Sequence, residues 1–137
     1  MMSERVQLHE YEVINVRPLI AKLDLKDENV TLMVYLIPNA VAVENSKVVS
    51  VVSSSLLSVF SDKPKMSELC NPQKMSTHTA VLPELKIISE GGTEIGVDGK
   101  KVVIKAKIMN VNVYPDLRDN FGNPCVNVTW IQLTNVE

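Results

Sequence analysis

Hydrophobic and polar positions divide the chain into three stretches of different period. Between residues 11 and 25 the apolar side chains are Tyr11, Val13, Val16, Leu19, Ile20, Leu23 and Leu25, with Pro18 in their midst. Proline removes a ladder donor, so the pattern predicts two short strand pieces bent at Pro18, or an edge strand. The polar cluster of residues 26–29 makes a turn, and residues 30–37 follow as an almost unbroken apolar run that Pro38 and Asn39 end. That run reads as a strand covered on both faces, and its turn makes the pair a hairpin.

Residues 46–61 are the pivot of the pattern. Alternation puts Val48, Ser50, Val52, Ser54, Leu56 and Ser58 on one face, so a strand has no apolar side here. At about 100° per residue, Val48, Val49, Val52, Leu56, Val59 and Phe60 gather on one side, with Ser50, Ser54, Ser58 and Ser61 opposite. An amphipathic helix over 46–61 is expected, capped by the side-chain oxygens of Glu44, Asn45 and Ser46 and stopped at Asp62, Lys63 and Pro64. Residues 62–83 have no period and include Pro64, Pro72 and Pro83, which predicts a long irregular loop with one possible helical turn near residues 67–70.

The last third is legible as strands. Residues 84–89 form one, residues 90–92 a turn, and residues 93–97 and 101–104 flank Asp98 and Gly99, the strongest short hairpin signal. Val102, Ile104, Ala106 and Ile108 share one face of the long run to Tyr114, whereas Met109, Val111 and Val113 carry the opposite parity. A change of parity within one strand predicts a bulge near Ile108 and Met109 or a crossing between layers. Residues 125–134 close the pattern as the partner of that run.

The fold class this predicts is α+β: an antiparallel sheet of about five or six strands with the 46–61 helix packed on it. The chain, residues 1–137, reads as a single domain. By arrangement the order resembles a hotdog-type domain, in which a curved sheet wraps a central helix. That resemblance implies a small apolar ligand or acyl-thioester between helix and sheet, although the helix lacks the acidic residue that many hotdog thioesterases carry there. A β-sandwich is the other alternative and requires residues 48–60 to be strand.

Composition changes the picture mainly by exclusion. With 14 basic and 16 acidic residues and aromatics at 4%, the chain offers no basic footprint and few stacking platforms for nucleic acid. A single-stranded nucleic-acid binder using Lys100, Lys101, Lys105, Lys107 and Tyr114 is the weakest reading, a solvated sheet face being the plainer account of that row. The N-terminus has no positively charged start followed by an apolar core, and no apolar run spans a bilayer, so a cytoplasmic, non-membrane protein is expected. Two Asn-Val-Thr sequons, at Asn29 and Asn127, read as strand residues.

Candidate chemistry is sparse. Cys70, Cys125, His9 and His78 are the thiols and imidazoles, and the eight-residue spacing of Cys70 and His78 lacks the paired motif of a structural zinc site. The plain reading of the cysteines is two small buried thiols. A Cys70–Cys125 disulfide is the alternative, unusual in a reducing cytoplasm outside hyperthermophiles. Asp116, Asp119, Asn120 and Asn123 cluster oxygens beside Gly122 without the spacing of a calcium loop, as a tight strand connection demands. Gly91, Gly92 and Gly96 precede a strand and not a helix, which favours hairpin geometry over a phosphate cradle. No nucleophile motif occurs, and no cofactor is expected. The function these readings favour is a non-enzymatic binding or assembly subunit, a homo-oligomer or part of a larger complex, with Ser50, Ser54 and Ser58 as its interface.

Overall fold

A computed structural model describes residues 6–137; residues 1–5, part of the stretch read for a signal sequence, lie outside the described residues. In chain order the elements are β1 (Val6–His9), β2 (Glu12–Arg17), β3 (Leu19–Leu25), β4 (Glu28–Glu44), β5 (Lys47–Ser61), β6 (Glu68–Leu69), α1 (Pro72–Thr77), β7 (Glu84–Ser89), β8 (Gly92–Val97), β9 (Lys100–Arg118) and β10 (Pro124–Val136). They form two five-stranded sheets. In the first, β4 is flanked by β5 on one side and by β1 and β3, end to end, on the other, with β7 beyond β3. In the second, β9 lies between β10 and β8, with β2 beyond β8 and the short parallel β6 at the far end of β9.

The expected helix over 46–61 is a strand. β5 runs antiparallel to β4 along its whole length, from Glu44↔Lys47 to Val30↔Ser61. A spacing of four residues explains the misreading, because Val52, Leu56 and Phe60 share a face both on a helix and on a strand. Strand alternation leaves no wholly apolar face here, but an edge strand does not need one. Without that helix, and with only the short α1 besides, the α+β class gives way to a mostly antiparallel β architecture. The hotdog arrangement loses its central helix, and the condition set by the sandwich alternative is met.

One core lies between the sheets. Leu19, Leu23, Val30, Leu32 and Val41 of the first sheet pack with Ile95, Val97, Val102, Ile104 and Val113 of the second. Two connections turn the corner between sheets. β2 and β3 are one extended run bent at Pro18, as the proline predicted. β7 and β8 were expected to flank a hairpin turn, but they do not pair: β7 joins β3, β8 joins β2 and β9, and the chain crosses at Gly91. Gly91 has φ 64°, and an added Cβ would strike the carbonyl of Pro18 and lie 2.6 Å from that of Arg17, so the two corners press backbone to backbone.

Pro38 does not end β4, which continues through Asn39 as a bulge. It is tolerated because it falls in the gap between the β3 partners, which stop at Val34, and the β1 partners, which start at Val41. Two hydroxyls fill that gap. Buried Thr93 donates to the Leu36 carbonyl at 2.6 Å and Tyr11 to the Pro38 carbonyl at 3.1 Å. In β9 the parity change is a bulge: Ile108 pairs Trp130 and Asn110 pairs Thr129, leaving Met109 unmatched. The Asp98–Gly99 hairpin forms with both residues at positive φ.

Residues 62–83 are less irregular than expected, holding β6 and α1. Asn71 caps α1 by accepting from the backbone N–H of Gln73 at 2.8 Å and of Lys74 at 3.4 Å, and Pro72 starts it.

Candidate functional site

A row of exposed apolar side chains runs along β5 on the outer face of the first sheet. Register places Val52 opposite Ala40, Leu56 opposite Tyr35 and Ser58 opposite Met33, and Met33 in turn sits opposite Ile20 of β3. Val52, Leu56 and Phe60 are 53%, 58% and 54% exposed. The predicted interface serines Ser50, Ser54 and Ser58 lie on this same outer face. They alternate with the apolar side chains where a helix would have set them opposite. No charged residue occurs between Lys47 and Asp62.

Among the described residues β5 is also a free edge, because it pairs with β4 alone. The N–H of Asp62 donates to the Asn29 carbonyl of β4 at 3.0 Å. That of Ser61 turns away to Asn123 Oδ1 at 2.9 Å, and the Val51 carbonyl turns away to accept from Gln132 Nε2 at 2.9 Å. Odd-numbered residues therefore present their peptide groups outward. Side-chain amides seal the two ends, and the Ser53 hydroxyl donates to Gln132 Oε1. Between the seals, Ser53, Ser55, Leu57 and Val59 have no backbone partner on that side among the described residues. Leu57 points inward yet stays 41% exposed, so the mouth between β5 and β10 is open there.

A polar clasp closes one end of the two sheets. Arg118, 1% exposed, donates from Nη2 to Glu28 Oε1 at 2.6 Å and from Nη1 to Glu28 Oε2 at 2.9 Å. Its Nε donates to the Pro115 carbonyl at 2.9 Å and Nη1 also to that of Gly122 at 3.3 Å, while the Ser61 hydroxyl donates to Glu28. Arg118 holds the Glu28 carboxyl below the usual carboxylate range, and the Ser61 hydroxyl adds to that effect against the opposing cost of burial. Sequence reasoning missed this cluster, since nothing marks one arginine in a turn-rich stretch as buried. The same end carries Asp62, lowered by the backbone N–H of Asn29.

The remaining predicted sites are separate. Cys70 and Cys125 form a disulfide with Cα atoms 5.9 Å apart, within the normal range, so they are not two small buried thiols and Cys70 has no free thiolate for a metal. Such a bond persists in oxidising compartments or in hyperthermophile cytoplasm. His78 ends α1, its N–H donating to the Lys74 carbonyl at 3.0 Å. Asp119 Oδ1 accepts from the N–H groups of Phe121 and Asn123 at 2.8 and 2.9 Å, which is turn chemistry, and the Asp116 carbonyl accepts from the Ser67 hydroxyl at 2.9 Å. Among the described residues no three His, Cys, Asp or Glu side chains converge to hold a metal.

In the lysine row, Lys101 pairs with Glu94 at 3.5 Å and Glu137 at 3.8 Å, and Lys105 with Glu90 at 3.4 Å. Neighbouring acids thus offset much of its charge. A cleft of about 610 Å³ at the opposite end of the molecule from the clasp is lined by His9, Glu12, Asp98 and Lys100, where acids and bases alternate. A smaller apolar slot of about 390 Å³ lies beside Leu85, Ile87, Ala106 and Ile108. No helix among the described residues is long and apolar enough to cross a membrane. Compared with protein-family models, curated proteins and solved structures, the chain matches none.

Proposed function

We propose that this protein is a non-enzymatic assembly subunit that binds other protein chains through β5 and the outer face of the first sheet. The observation that carries this reading is the half-exposed, uncharged run of residues 48–61 in β5, at a sheet edge. Edge strands of proteins that stay single are blunted by lysine, proline, bulges or a covering loop, because their unpaired peptide groups template further pairing. Here a run of serine, valine and leucine lies open instead, continuous with the apolar side chains of β4. Exposed apolar area of this kind marks interaction surfaces.

The test compares the native chain with a Leu56→Lys/Phe60→Lys variant by light scattering and native pull-down. The native protein is expected to exceed the 15.2 kDa of one chain or to retain a specific partner. The variant is expected to lose that association while keeping its thermal transition, since both side chains point to solvent. A strictly monomeric native protein with no partner would contradict the proposal.

A further inference from the structure

Resting on that assembly role, we infer that the partner at the free edge is a second copy of this chain, its β5 paired antiparallel to the first about a two-fold axis at Leu56. Three features of β5 select this occupant. The outward peptide groups from Ser53 to Val59 are open and their neighbours at Val51 and Ser61 are sealed by Gln132 and Asn123, so the available edge is short and centred on Leu56. In an antiparallel pair, residues that turn their peptide groups to each other must share parity, and odd residues face outward here. The register centred on Leu56 pairs Ser53 with Val59 and Ser55 with Leu57, so each open group meets an open group of the other copy, and on the outer face Leu56 meets its own copy, Ser54 meets Ser58 and Val52 meets Phe60. Cross-strand apolar pairs and hydroxyl pairs of this kind favour a register.

No charge lies within the paired segment, since β5 carries none between Lys47 and Asp62. The pairing would also cover the open mouth at Leu57.

Cysteine trapping tests the register directly, because Cys70 and Cys125 are already bonded and an introduced thiol is the free one. Even-numbered residues form the non-hydrogen-bonded pairs, with Cα atoms about 4.5 Å apart. Under mild oxidation Leu56→Cys is expected to give a covalent dimer by itself. Ser54→Cys and Ser58→Cys are expected to give one only when mixed. Ser55→Pro removes an outward N–H that β4 does not use, so it is expected to fold and to run as a monomer. If no trapped dimer forms while the native protein still self-associates or holds another chain, edge pairing is overturned and the assembly role stands. If no dimer forms and the protein is a lone monomer, both fall. Should Ser55→Pro fail to fold, the cysteine pattern decides.

Discussion

Arg118 grips Glu28 with both terminal nitrogens of its guanidinium, at 2.6 and 2.9 Å, across 90 residues of sequence. The pair joins the start of β4 to the end of β9 where β5 also finishes, so three strands from two sheets are fixed at one end by a single buried side chain. A buried charge left alone is expensive, and removing one partner typically costs about 3–5 kcal/mol. Glu28→Gln and Arg118→Met are each expected to destabilise by that order in urea unfolding, and replacing both with apolar residues to cost less than the two single changes added.

The same pair sets a pH dependence. Because Arg118 lowers the folded-state value of Glu28, the unfolded chain binds the proton more tightly than the folded one. The stabilisation is complete above the ordinary carboxylate range and is lost as pH falls through the lowered value. Unfolding free energy measured against pH should decline on the acid side, and Glu28→Gln should flatten part of that decline. Parallel acid limbs in the two proteins would contradict the assignment.

The Cys70–Cys125 bond ties the segment before α1 to the start of β10 over a separation of 55 residues. Chain-entropy reasoning gives about 4 kcal/mol for a loop of that length. Thermal unfolding with and without reductant, or of Cys70→Ser/Cys125→Ser, should show a loss of that order. An unchanged transition would mean that the bond does not form in the protein.

Gly91 and Gly99 offer a matched pair. Both have positive φ, but a Cβ at Gly91 meets the carbonyls of Pro18 and Arg17, whereas one at Gly99 meets nothing within 4 Å. Gly99→Ala should cost about 1–2 kcal/mol for the backbone alone. Gly91→Ala should cost clearly more, since the corner between the sheets must open. Equal losses in denaturant unfolding would show that the two corners do not press together as described.

Much of this fold is written in local pattern. Pro18 marks a corner, Asp98 and Gly99 a hairpin, and the parity change at Met109 a bulge, because each follows from backbone chemistry within a few residues. β5 reads as a helix because edge position relaxes the demand for an apolar face, and a repeat of four residues satisfies helix and strand alike. Gly91 reads locally as hairpin geometry because its reason for being glycine is the distant carbonyl of Pro18. The clasp of Arg118 and Glu28 and the disulfide depend on tertiary approach, which neither spacing nor composition encodes. Ser50, Ser54 and Ser58 do share one face, but it is the face of a strand, on which they alternate with Val52, Leu56 and Phe60 and do not lie opposite them.

The surface of β5 can be tested amide by amide. Hydrogen exchange across a protein concentration series reports whether the outward N–H groups of Ser53, Ser55, Leu57 and Val59 acquire partners. The account predicts that their exchange slows as the protein associates, while the free-edge amides of β7 keep their rates. Rates at those four positions that stay fast and equal to the β7 edge, at every concentration and with any retained partner, would contradict it.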